Sequence, residues 1–195
     1  MVQGLMRLIA VELLTAVGVY AQSKAANTDA SNVPRFEDYP IVETFNGPPA
    51  KPILTTSEQQ RYRTRILNGI AKGTDAWSGS WRNPIKSPGP NFAGHYFVIR
   101  WGCGSNCLMM AIVDAQNGSV HAPPLSGAGS HLYVPMDMMG DGEIDFRPNS
   151  SLMVLRNACA SGRSECGVYY FNWSNNHFIL LKRVLVDLTK VEAAK

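Results

Sequence analysis

The sequence predicts a mainly β (α+β) domain: an antiparallel sheet built from hairpins, one N-terminal amphipathic helix and two local disulfides. Three observations predict it. From Gly94 onward, alternating or continuously apolar runs recur, separated by Gly, Asn and Pro turns. One stretch alone, opening at Ser57, carries apolar residues at helical spacing. The four cysteines fall into two close pairs, Cys103 with Cys107 and Cys159 with Cys166.

The chain opens with a basic Met1–Arg7 segment, an apolar run Leu8–Tyr20, and Val19-Tyr20-Ala21 before Gln22. Residues 1–21 are therefore read as a cleaved secretory signal, although Glu12 interrupts the apolar run. That run is shorter than the roughly 20 residues a spanning helix needs. No cysteine lies near the cleavage position, and no later segment has the length and apolarity of a membrane helix. The expected product is free of the membrane, periplasmic or secreted. The net charge of +3 is small and evenly spread, with no basic stripe interleaved with aromatics, so no nucleic-acid partner is expected.

Residues 22–56 read as a polar, then Pro-rich, leader. Pro40, Pro48, Pro49 and Pro52 predict extended chain lying over the domain rather than helix. Residues 57–195 are read as a single β-rich domain. Ser57 and Gln60 match a capping box, and Tyr62, Ile66 and Ile70 form one apolar stripe, so the helix runs toward Ala71–Gly73. A loop follows from Thr74 to Pro90, carrying Trp77 and Trp81.

The next run, from His95 to Trp101, alternates, placing His95, Phe97, Ile99 and Trp101 on one face. The run Leu108–Asp114 is continuously apolar, as a central strand would be. At the turn after it, Asn117-Gly118 can supply the positive φ angles of a hairpin leading into Ser119–His121. Further strands are expected at His131–Val134, Ile144–Arg147, Leu152–Arg156 and Gly167–Trp173. Ser174-Asn175-Asn176 then turns the chain into Phe178–Val186. Strands near 95–121 and 152–186 read as two hairpin-based halves.

Each cysteine pair brackets a Gly/Ser-rich turn, which favours local pairing, although four cysteines permit three pairings. Loops this short stabilise by about 2–2.5 kcal/mol each when closed. Zinc is not expected, because Cys-x3-Cys has no matching second half, and a thioredoxin-type site lacks its Cys-x-x-Cys.

The stretch Gly89–Cys107, GPNFAGHYFVIRWGCGSNC, followed by LMMAIVDAQNGSV, resembles a group of uncharacterised secreted bacterial proteins. Their shared pattern is a helix, GPNFAGHY, a strand, WGCG-x-x-C and a strand ending in VDA-x-x-G. The resemblance continues weakly through DFRPNSSLMVLR and VYYFNW, and this chain carries extra loop residues before GPNFAGHY. It implies export and a compact domain, and no activity.

No motif fixes a reaction, so the leading expectation is a non-enzymatic binding module for envelope material or a protein partner. Its candidate ligand-binding residues are Trp77, Trp81, His95 and Trp101, since aromatic side chains give large rigid contact areas. One alternative is an envelope hydrolase using Cys103 with His95, or the Asp141/Glu143 loop. Another is a protein inhibitor or immunity factor. The acidic stretch Asp137–Asp145 invites a calcium reading, but it lacks the twelfth-position Glu and the flanking helices of an EF-hand. Met136, Met138 and Met139 near His131 invite a copper reading. No cofactor or metal is expected.

Overall fold

The computed structural model describes residues 32–72, 89–104, 107–127, 130–135, 144–163 and 165–185. The expected signal segment, the start of the polar leader, Trp77, Trp81 and the acidic stretch up to Glu143 lie outside the described residues. The described strands form two four-stranded antiparallel sheets, so the two hairpin-based halves are two sheets and not one. The first holds β1 (Tyr96–Gly104), β2 (Cys107–Asp114), β3 (Val120–His121) and β4 (Tyr133–Val134). In it β2 is central, with β1 on one edge and both β3 and β4 on the other. The second runs in sequence order: β5 (Ile144–Phe146), β6 (Leu152–Arg163), β7 (Cys166–Ser174) and β8 (His177–Leu185).

Alternation then decides the layering. Tyr96, Val98, Met110 and Ile112 face inward and meet Met153, Leu155, Tyr169, Phe171 and Trp173 of the second sheet in one core. The opposite side chains of the first sheet, Phe97, Ile99, Trp101, Met109 and Val113, form a second apolar layer with Ile66, Tyr62 and Ile70. Those last three are the stripe expected from the sequence, and they seat helix α2 (Arg63–Lys72) on the sheet. The fit is close. A Cβ on Gly69 would lie 2.3 Å from Ile99 Cγ2, so the glycine lets the helix backbone approach the strand.

The helical stretch differs from the expected single helix capped at Ser57. A short α1 (Ser57–Arg61) precedes α2, with Tyr62 between them at φ −97° and ψ 16°. The capping box is shifted back by one residue. The Gln59 amide donates to the Thr56 hydroxyl, and the Gln59 side-chain oxygen accepts from the Thr56 amide. Thr56-x-x-Gln59 and Ser57-x-x-Gln60 match the signature equally well. A distant contact selects the first: buried Gln59 also donates through Nε2 to the Val120 carbonyl.

Residues 33–54 are extended, as the prolines require, apart from a 3-10 turn at Phe36–Asp38. This strap crosses both sheets. Val33, Phe36 and Tyr39 cover Leu152, Val154 and Tyr170 on the outer face of the second sheet. Farther on, Phe45 and Leu54 join the helix-side layer. Its backbone is tied down at Ile41 N to Asn149 O, Phe45 N to Gly94 O, Ala50 N to Ala115 O and Ile53 N to Gly118 O, at 2.7–2.9 Å.

The β6–β7 hairpin carries a disulfide between Cys159 and Cys166, which stand opposite each other in the ladder. Strand β6 runs on past the expected end at Arg156, because a bulge with Asn157 at φ 58° absorbs one extra residue and pairing resumes at Ala158. Replacing both cysteines with serine is expected to lower stability by about 2–2.5 kcal/mol, read as a lower urea midpoint.

Candidate functional site

Of the residues singled out in the sequence, the described ones do not converge. Trp77 and Trp81 lie outside the described residues. Trp101 does lie on the Phe97/Ile99 face, but α2 covers that face. At 1% exposure and 5.3 Å from the Tyr62 ring, Trp101 is a packing residue and presents no surface to a ligand. His95 immediately precedes β1 and Cys103 lies near its far end, about 26 Å away at the rise of a strand, so they form no nucleophile–base pair. Among the described residues no cysteine is free. The acid that ends the proposed calcium stretch, Asp145, is paired with Arg156 at 3.0 Å. No group of three His, Cys, Asp or Glu side chains that could hold a metal occurs among the described residues.

His95 alone leads toward a site. It belongs to the FAGHY turn, in which Ala93 and Gly94 take φ values of 42° and 80° and Phe92 and Tyr96 exchange backbone hydrogen bonds. The preceding Asn91 is buried and pairs its amide with Val98 N and O, capping the free edge of β1. The GPNFAGHY segment is thus a launching turn for β1. It sets the His95 ring on Tyr96, with centroids 4.1 Å apart, and its Nε2 3.8 Å from Asp114 Oδ2.

Beyond Tyr96 lies an aromatic cluster at one end of the sandwich. Trp173 of β7 stands edge-on to Tyr96 (5.1 Å) and to His121 (5.4 Å), and Phe178 of β8 lies 4.6 Å from it. The β7–β8 turn is tighter than the expected Ser174-Asn175-Asn176: Ser174 pairs with His177, leaving Asn175 at φ 50° and Asn176 at φ 63° as its two central residues. Tyr96 donates its hydroxyl proton to Asn176 Oδ1 at 2.7 Å and so ties the two sheets together here. Burial raises the Tyr96 pKa above its ordinary value, opposed by a hydrogen bond from Trp173.

Against this cluster opens a cleft of about 490 Å³, between the Val120–Ser126 segment and the β7–β8 hairpin. Its walls include His121, Pro124, Leu125, Phe171, His177 and Phe178, and among the described residues no Asp, Glu, Lys or Arg lines it. The cleft is shallow, nearer to an open surface than to an enclosed cavity. Leu125, at its lip, holds φ 61°, a left-handed conformation that bulky residues rarely adopt. Strain of this kind gathers at ligand sites.

The β2–β3 turn leads into His121 of β3 and is held by a chain of side-chain hydrogen bonds. Buried Asp114 accepts from Gln116 N through Oδ1 and from Asn117 Nδ2 through Oδ2. Asn117 Oδ1 accepts from Ser119 N and from Ser119 Oγ, and Ser119 Oγ lies 3.1 Å from His121 Nε2. Only Gly118 has a positive φ, 81°, so the expected Asn-Gly pair of such angles is corrected: Asn117 instead uses its side chain as a bridge.

Burial holds the His121 pKa below its ordinary 6.5, with Asp114 pulling the other way. The unfolded chain therefore binds the proton more tightly. Stability from this residue is full above pH 6.5, is lost as pH falls through 6.5 to the folded value, and levels off below it. Proton NMR of the imidazole is expected to give a midpoint under 6.5, and His121→Phe is expected to flatten the acid limb of the stability profile.

No local pattern of residues marks this cleft, because its walls come from two segments about fifty residues apart. The usable signals were the Asn-Asn turn and the aromatic density of Tyr169–Trp173, which together place rings beside a sheet end. Comparison with protein-family models, with curated proteins and with solved structures finds no match.

Proposed function

We propose that this chain is an exported, non-enzymatic binding module that takes an uncharged saccharide unit of cell-envelope material in the cleft beside β8. The observation that carries the reading is the cleft's lining. Phe178 and Leu125 offer apolar surface over the buried Phe171, while His121, Asn176, His177 and Ser126 offer polar atoms, and no described lining residue brings a carboxylate, ammonium or guanidinium. A sugar ring matches such a wall, with an apolar C–H face and a rim of hydroxyls. A phosphate or a metal ion does not. Export is supported by the signal-like residues 1–21 and by the Cys159–Cys166 disulfide, a bond of oxidising compartments. No helix among the described residues is long and apolar enough to cross a membrane. The second staple of this reading is Cys103–Cys107, supported by the β1–β2 register that sets Gly104 opposite Cys107.

Titration with diacetylchitobiose, followed by amide shifts, tests the binding. Leu125, Ser126 and His177 are expected to move, and Ser126→Tyr, which fills the cleft, is expected to abolish the change. Absence of any shift at about 10 mM, tenfold above a millimolar Kd, would overturn the reading. Shifts induced by peptides and not by saccharides would assign the cleft to a protein partner instead.

A further inference from the structure

We infer that His121 is the fixed hydrogen-bond acceptor of the cleft, presenting an unprotonated Nδ1 to a ligand hydroxyl, and that the β2–β3 turn exists in part to hold that tautomer. The inference rests on the saccharide reading for its ligand, but its core is an accounting of protons in the turn.

The Ser119 backbone amide is unambiguously a donor, and it lies 2.8 Å from the side-chain atom of Asn117 assigned as Oδ1. Turning the Asn117 amide over would set its NH2 against that N–H and its oxygen against the Asp114 carboxyl group, which Asn117 Nδ2 now meets at 2.8 Å. The orientation of Asn117 is therefore fixed. Ser119 Oγ lies 2.5 Å from the same Oδ1, and an amide oxygen has no proton to give, so the single hydroxyl proton of Ser119 lies between them. What remains on Ser119 Oγ is lone pairs. The contact of 3.1 Å to His121 Nε2 is then a hydrogen bond only if Nε2 carries a proton and donates it. In the neutral ring the other nitrogen, Nδ1, is an acceptor.

Two consequences follow for the site. Ser119 and His121 are not a nucleophile and its base, since the serine proton points away from the ring. And Nδ1 makes no hydrogen bond to any described residue, on a side chain that lines the cleft. The titratable groups around the ring are Asp114 of β2, Tyr96 of β1, with His95 beside it, and His177 across the cleft. Asp114 anchors Asn117, and the Tyr96 hydroxyl proton is already given to Asn176, so neither supplies a proton to Nδ1.

Long-range proton–nitrogen spectra of the imidazoles in the intact protein, recorded above neutral pH, test the tautomer directly. His121 is expected to be protonated on Nε2 alone, and Ser119→Ala, which removes the partner, is expected to give a mixture of tautomers with an unchanged melting profile elsewhere in the sheet. Diacetylchitobiose binding tests the acceptor. In His121→Gln, an amide N–H replaces Nε2–H but nothing accepts at the Nδ1 position, and affinity is expected to fall about tenfold. His121→Asn, whose Oδ1 falls near Nδ1, is expected to bind more tightly than the Gln variant. Protonation on Nδ1 in the free protein, or wild-type affinity in His121→Gln, would overturn the inference and leave the saccharide cleft standing. A wild-type protein with the expected tautomer that binds no saccharide would overturn the functional reading, and the acceptor role with it.

Discussion

Truncation of Trp173 to alanine is expected to lower the unfolding free energy by about 3–5 kcal/mol. The indole is 6% exposed and stands where the inner faces of the two sheets close on each other. Its neighbours are Phe92, Tyr96, His121 and Phe178, which come from the launching turn, β1, β3 and β8. None of these can shift inward without leaving its own strand pairing, so the vacated volume stays open and adds to the lost burial. Urea unfolding is the measurement, with the midpoint falling and the slope unchanged. Trp173→Phe is expected to recover most of the loss, because the flanking rings pack edge-on and a phenyl keeps part of that contact. A loss below about 1 kcal/mol for the alanine variant would mean that the cluster is far looser than its distances imply.

Gly118→Ala is expected to detach the strap. The glycine has φ 81°, where an alanine costs about 1–2 kcal/mol by backbone strain alone. The added Cβ would also meet the Lys51 carbonyl oxygen at 2.1 Å, a backbone atom that cannot swing aside. Relief requires the strap to lift, which breaks Ile53 N to Gly118 O and disturbs Ala50 N to Ala115 O. Hydrogen exchange reads this locally: the Ala50 and Ile53 amides are expected to lose protection while the β6–β7 ladder keeps it. Equal loss across both sheets would show instead that the strap and the sandwich unfold as one unit. Gly94, with φ 80° and Glu43 O at 2.4 Å from a Cβ position, holds the strap by the same device at its other anchor.

Much of this fold is legible in the residues because each strand obeys a local rule. The alternation of Phe97, Ile99 and Trp101 and the unbroken apolarity of Leu108–Val113 place β1 and β2 correctly, since one strand has two chemically similar faces to bury and the other is central. Asn175-Asn176 gives its turn away through a backbone preference. The capping register is different in kind: two overlapping signatures were available, and Val120, sixty-one residues away, chose between them through Gln59. Trp101 shows the same limit. Its face could be read, but not that α2 lies on it, so a buried ring passed for a binding one. The cleft was illegible for the same reason, being a space between segments and not a property of either.

The strap also carries a lesson about order of synthesis. Asn32, Phe36 and Tyr39 emerge from the ribosome early, yet Lys182, Ser150 and the strands they rest on are made more than a hundred residues later. Contacts of such long sequence separation close slowly. Phe36 and Tyr39 gain their seat only when Ser150, Leu152 and Val154 are made, and Asn32 only with Lys182 of β8, so the strap is locked by residues far along the chain.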